Sequence, residues 1–294
     1  MIAADGVMFD LDGTLILSDR ALGGYQVLPG AVDLLHDLDR RGMPFVALTN
    51  GSAYPASQQG PRLRALGLPI PDDRLFTPNS VAAGLFAGRG LRRVMVLGTE
   101  GVRDALEGEG ISTCAPGDAR ADAVYIAWHP DCAMADIHAA CAAVLDGAAL
   151  YSASDVPFFA SKSGRAFGYS CAIGGAVARV TGVEPEVTGK PSQAALRFVA
   201  GKLGVPVDRV AVVGDDPKVE TIMARTGGAI GIGVTTGTTS AAEWAAVPDA
   251  ERPTAVIAGV ADLATLLFEG GATARRAPPV APPTPTRRGP ADAA

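Results

Sequence analysis

Short unbroken apolar runs alternate along the chain with segments whose apolar residues recur at helical spacing, which predicts βαβ units built on a parallel sheet. GVMF at 6–9 opens the series as a buried strand. In PGAVDLLHDLDRRG, Ala31, Leu34, Leu35 and Leu38 fall at i, i+3, i+4 and i+7, predicting a helix with one buried stripe between Pro29 and Gly42. PFVALTNGS then reads as a second strand that ends in Thr49 and Asn50. A separate alternation fills the middle: RRVMVLG, VRDALEGEG, DAVYIAW, a helix carrying Ile137, Cys141, Val144 and Leu145, and ALYSAS. After it the first pattern resumes, with a helix carrying Leu196, Val199 and Leu203, the strands RVAVVGDD and AIGIGV, and a closing strand and helix in TAVIAGVADLATLLF. The expected organisation is an α/β core made of residues 1–78 and 187–270, interrupted by an α/β unit at 79–186. Residues 271–294 are rich in Pro, Ala and Arg with little to bury, and are expected to be disordered.

At 294 residues the chain is long enough for a large core plus a second unit, which agrees with the insertion. Apolar residues at 48% and charged ones at 19% give a globular balance, and the net charge of −6 supplies no footprint for nucleic acid or anionic membrane. A small soluble partner is the expectation. Cys114, Cys132, Cys141 and Cys171 form no C-x-x-C pair and read as buried thiols in a reducing cytoplasm. No apolar run reaches a membrane-spanning length and no signal peptide is evident, so a cytoplasmic, unprocessed protein is expected.

Candidate chemistry sits where strands end. In FDLDG, strand alternation would set Asp10 and Asp12 on one face, about 6–7 Å apart. Two such carboxylates repel, and a hard oxygen-liganded cation such as Mg²⁺ would relieve them; a solvated acidic turn is the alternative. TNG at 49–51, GKPS at 189–192 and VGDD at 213–216 supply further polar residues at strand ends or nearby loops, where open α/β sheets bind ligands. Taken alone, Thr49 could cap a helix and Lys190 could be a surface lysine. Together these clusters offer carboxylates, a hydroxyl with adjacent backbone amides, and one lysine, an inventory that suits phosphoryl transfer.

D-x-D-G-T, T-N-G, G-K-P and V-G-D-D, in that order, resemble the four motifs of the haloacid dehalogenase (HAD) superfamily, over roughly residues 7–240. The insertion between the second and third motifs, and TGVEPEV ahead of GKPS, are similar to the nitrophenylphosphatase or NagD-like branch. The resemblance implies a Rossmann-like doubly wound parallel sheet core with an inserted α/β cap domain. It implies a Mg²⁺-dependent phosphatase acting on a small phosphorylated metabolite: Asp10 as nucleophile, Asp12 as proton donor and then base, and Thr49, Asn50, Gly51 and Lys190 on the phosphoryl group. Asp10, Asp12 and Asp215 would hold the metal, Asp12 through its backbone carbonyl. A homodimer is also open, because similar proteins dimerise through the cap.

The sequence departs from the family at three places. Gly51 stands where relatives often carry asparagine, Glu220 stands where an aspartate is common, and the cap's N-x-D region appears only as SASD ending at Asp155. Trp128, His129 and Asp131 could project toward substrate, or could simply form a turn after a strand. These departures keep a second reading open: a non-catalytic protein that binds or senses a phosphorylated metabolite on the same fold.

Overall fold

The structure is a computed structural model and describes residues 2–19, 24–118, 120–161 and 164–269. The tail 271–294 lies outside the described residues. Six parallel strands form one sheet in the order Ala255–Ile257, Ile230–Val234, Val210–Gly214, Gly6–Phe9, Phe45–Leu48, Leu75–Phe76. The order runs outward from Gly6–Phe9 in both directions, so the winding reverses between that strand and Val210–Gly214.

Strand alternation explains why this sheet is covered twice. Val7 and Phe9 point to one face and pack with Leu34, Leu35, Leu38 and Leu263, whereas Met8 points to the other and packs with Leu196, Val199, Val212 and Met223. Each leucine of the stripe contributes about 1.5–3 kcal/mol by leaving water. The helix Ala31–Arg40 buries Ala31, Leu34, Leu35 and Leu38, the four positions that periodicity selects.

A second parallel sheet of five strands runs Glu186–Val187, Ala149–Ser152, Ala123–Ile126, Arg93–Leu97, Ser112–Cys114. Helix Met134–Leu145 packs on it through Cys141 and Val144, but Leu145 is exposed because the helix ends there and the chain turns at Gly147. The chain passes between the sheets twice. At the first passage Thr77 caps the helix Pro78–Gly88, its hydroxyl accepting from the Ser80 amide at 3.4 Å. At both passages the fully buried Tyr125 of the second sheet serves as anchor: its hydroxyl donates to Asn79 Oδ1 at 3.0 Å and lies 3.2 Å from Thr188 Oγ1. Asn79 in turn donates to the Ser52 carbonyl at 3.0 Å. One tyrosine thereby links the second sheet to the segments that follow Thr49 and precede Lys190.

Two antiparallel hairpins, Ile16–Asp19 with Gly24–Val27 and Phe158–Ser161 with Gly164–Phe167, are additions to the expected elements. All four cysteines are free; Cys114 and Cys141 are buried, and Cys132 and Cys171 half-buried. Among the described residues no helix is long and apolar enough to cross a membrane.

Candidate active site

The site begins where the sheet's winding reverses, the place at which neighbouring loops part and leave a crevice. Strand Gly6–Phe9 stops one residue before the first acid, although the Asp10 amide still donates to Val213 O at 2.9 Å. Asp10 and Asp12 therefore lie on the turn after the strand, not inside it as alternation suggested. Gly13 makes that turn at φ 85°, a backbone state other residues rarely adopt, and its amide donates to Ile16 O at 2.7 Å.

Asp215 follows the neighbouring strand Val210–Gly214, whose five residues are all buried. Its Oδ2 accepts from the Thr238 amide at 2.6 Å, and the Thr236 hydroxyl donates to Gly13 O at 2.6 Å. A Cβ on Gly13 or Gly237 would overlap the Asp215 carboxylate, so two backbones close on this acid in a way only glycine permits. The 236–238 loop was missed by sequence reasoning; a glycine between threonines just past a strand was its one signal.

Lys190 is 1% exposed, which discards the surface-lysine alternative. Its ammonium donates to Asp10 Oδ1 and, at 2.7 Å, to Glu220 Oε1. Its backbone is held by Asn50, whose side chain donates to Lys190 O at 2.9 Å and accepts from Lys190 N at 2.8 Å. Asn50 thus positions the lysine through its side-chain amide, a role additional to the phosphate contact expected of the backbone amides in this segment. The Gly51 amide is likewise engaged, donating to Thr49 Oγ1 at 3.0 Å. That bond uses an acceptor site of the Thr49 hydroxyl and leaves its proton available to a ligand.

Glu220, the departure from the family pattern, is 3% exposed and completes the cluster. Asp216 points elsewhere: it caps the turn Pro217–Thr221 by accepting from the Lys218 amide at 2.8 Å. Trp128 is half-buried and lines a cavity of about 210 Å³ with Tyr54, Gln58 and Thr99, whereas Asp131 and Asp155 are exposed.

Burial pushes the Asp10 carboxyl well above the usual range; Lys190 opposes that shift, while Glu220 and Asp215 add to it. Burial likewise raises Glu220 and Asp215. For Lys190 burial alone would lower the ammonium's pKa, yet Asp10 and Glu220 together outweigh it and raise it. The lysine therefore stays charged, and three carboxylates face one ammonium with two negative charges uncompensated when all are ionised. Asp12 Oδ1 is in addition buried without a hydrogen-bond partner. Excess charge and an orphaned oxygen, all on hard oxygen donors, fit a divalent cation such as Mg²⁺.

Fold and site together define a class: an α/β enzyme scaffold with an acid–lysine cluster at its topological switch point and an inserted second sheet. A family model for haloacid dehalogenase-like hydrolases matches residues 7–112, and a HAD-hydrolase-like model matches residues 187–263. The 5′-nucleotidase YutF of Bacillus subtilis is 26% identical over 253 residues, 86% of this chain and 94% of the relative. A 4-nitrophenylphosphatase structure from Thermotoga maritima superposes with a TM-score of 0.79 at 26% identity, covering 90% of this chain and 97% of its own. A glycerol phosphate phosphatase from Mycobacterium tuberculosis, in complex with magnesium, gives 0.77 at 26%, covering 89% and 76%. The chain belongs to the haloacid dehalogenase-like hydrolases, in their NagD and nitrophenylphosphatase branch.

Proposed function

We propose that the protein is a Mg²⁺-dependent phosphatase that hydrolyses a small phosphate monoester through an aspartyl phosphate on Asp10. The observation that carries this reading is the buried contact of Asp10 with Lys190 at the switch point, beside an acid set in charge excess. Asp10 attacks phosphorus as the bond to the leaving oxygen breaks, and Asp12 gives that oxygen its proton. Asp12 then takes a proton from water as the water attacks the same phosphorus, which frees phosphate and restores Asp10. Lys190, held by Asn50 and Glu220, stabilises charge on the transferring group, and the Thr49 hydroxyl donates to one of its oxygens. Asp10, the Asp12 carbonyl and Asp215 would hold Mg²⁺, which when bound keeps Asp10 ionised and neutralises charge on the phosphoryl oxygens.

Similarity to proteins named for nucleotide, glycerol phosphate and nitrophenyl phosphate substrates supports a phosphomonoesterase and leaves the leaving group open. The test is release of inorganic phosphate from 4-nitrophenyl phosphate and a panel of sugar, glycerol and nucleoside monophosphates. Activity is expected with Mg²⁺ and is expected to fall about 100-fold or more with a chelator. Tight binding of a panel member without any release would overturn the enzymatic reading in favour of a metabolite-binding protein.

The cluster also makes the cation-free protein sensitive to pH. Because burial raises Asp10, Glu220 and Asp215, the folded state keeps protons that the unfolded chain releases near pH 4. Their contribution is therefore most favourable below that range and is lost as pH rises through the folded-state values. Mg²⁺ is expected to raise Tm more at pH 7 than at pH 5, read by thermal denaturation. Equal shifts at both pH values would remove the ion from this cluster.

A further inference from the structure

We propose that His129, Cys132 and Asp136 form a three-ligand site for a borderline-soft transition-metal dication such as Zn²⁺, on the second sheet and chemically separate from the Mg²⁺ site. The three follow the strand Ala123–Ile126, with His129 and Cys132 on the loop and Asp136 in the first turn of Met134–Leu145. One ligand atom from each lies within 4.8 Å of the other two, and all three residues are half-buried. A tetrahedral zinc ion, with bonds of about 2.0–2.3 Å, needs ligand atoms about 3.5 Å apart. The proposed site requires the His129 and Cys132 side chains to rotate and close that gap on binding.

The surroundings leave the ligand atoms available and one of them oriented. Asp136 Oδ2 accepts from the Ala133 amide at 2.8 Å, which fixes its carboxylate at the helix start, and lies 3.5 Å from His129 Nε2. Cys132 Sγ donates to the Ala133 carbonyl at a long 3.7 Å. Binding would release the thiol proton to solvent and form a metal–thiolate bond, so affinity rises with pH. Thiolate and imidazole select against Mg²⁺, just as the all-oxygen set at Asp10 and Asp215 selects for it. A bound ion would also fix the loop that carries Trp128, and with it one wall of the cavity shared with Tyr54 and Thr99.

The experiment is titration of the metal-stripped full-length protein with Co²⁺. One ion per chain should give intense visible bands of four-coordinate Co²⁺ and a near-ultraviolet thiolate-to-cobalt charge-transfer band, displaced by Zn²⁺ but not by Mg²⁺. Cys132→Ser should abolish the charge-transfer band, and His129→Ala should weaken binding about 100-fold or more. Cys171→Ser should change neither. Co²⁺ at the oxygen-only cluster produces no thiolate band, so the result does not depend on phosphatase activity. No charge-transfer band in the wild type, or one that survives in Cys132→Ser, would overturn the proposal and leave the trio as an ion-paired helix cap.

Discussion

Asp10→Asn is expected to reduce kcat by about 10⁴-fold or more, the scale seen when a covalent nucleophile is removed. The amide keeps the size of the carboxyl and can still accept from Lys190, but its oxygen carries no charge with which to attack phosphorus. The stability of this variant separates the catalytic explanation from a structural one. Asp10 is buried beside Glu220 and Asp215, and burial holds its carboxyl well above the usual range, so ionising it at neutral pH works against the fold. The sign follows from proton linkage. A group whose folded-state value is raised costs stability as pH climbs through it, and deleting the group deletes that cost. Without divalent cation at pH 7, Asp10→Asn should therefore melt at or above the wild-type temperature, and Mg²⁺ should stabilise it less. Near-wild-type phosphate release would exclude Asp10 as nucleophile, while a melting temperature many degrees lower would attribute the lost activity to damaged structure.

The fold was largely legible because its signals are local. Leu34, Leu35 and Leu38 declare their helix within one window, and the runs at Gly6–Phe9, Val210–Gly214 and Ile230–Val234 show that both faces of those strands are covered. The hairpin Phe158–Ser161 with Gly164–Phe167 had no such signal, because short strands without a clear alternation look like loop. Leu145 was placed in a stripe by its spacing, yet the helix ends at that residue and leaves it exposed.

The site was legible as a set of residue types, less so as a set of relationships. Motif order picked out Asp10, Thr49, Lys190 and Asp215, but the environment of each depends on residues far along the chain. Lys190 meets Asp10 across 180 positions and Glu220 across 30, and no window around GKPS reveals that it is buried. Asn50 reaches Lys190 across 140 positions, which adds a clamp on the lysine backbone that the motif itself did not announce. Glu220 carries one methylene more than the aspartate common in relatives, and it occupies the lysine's second hydrogen bond. The residue that looked most like a departure is thus part of the charge balance. The same long-range cause hides Thr238, whose amide meets Asp215 from 23 positions away.

Lys190→Met tests that balance most severely. Methionine has nearly the length and shape of the lysine stem, so packing is retained while the charge is lost. Asp10 and Glu220 would then face each other, both under a tenth exposed, with no cation between them. Breaking a buried ion pair in this way costs about 3–5 kcal/mol, and that loss is expected at pH 7 in chelator, measured by urea denaturation. The deficit should shrink toward pH 5, because both acids already have raised values and would rise further without the ammonium, so the folded state takes up the missing charge as protons. Activity should fall about 10²–10³-fold even with saturating Mg²⁺, because the proposed role of the lost charge is to act on the transferring group. Adding Glu220→Gln to Lys190→Met removes one of the two opposed carboxylates and should restore much of the stability without restoring turnover. Such non-additivity is the signature of residues in one network. If Lys190→Met were as stable as wild type at pH 7, or if Glu220→Gln simply added its own loss, the buried triad would not be the electrostatic unit that its geometry describes.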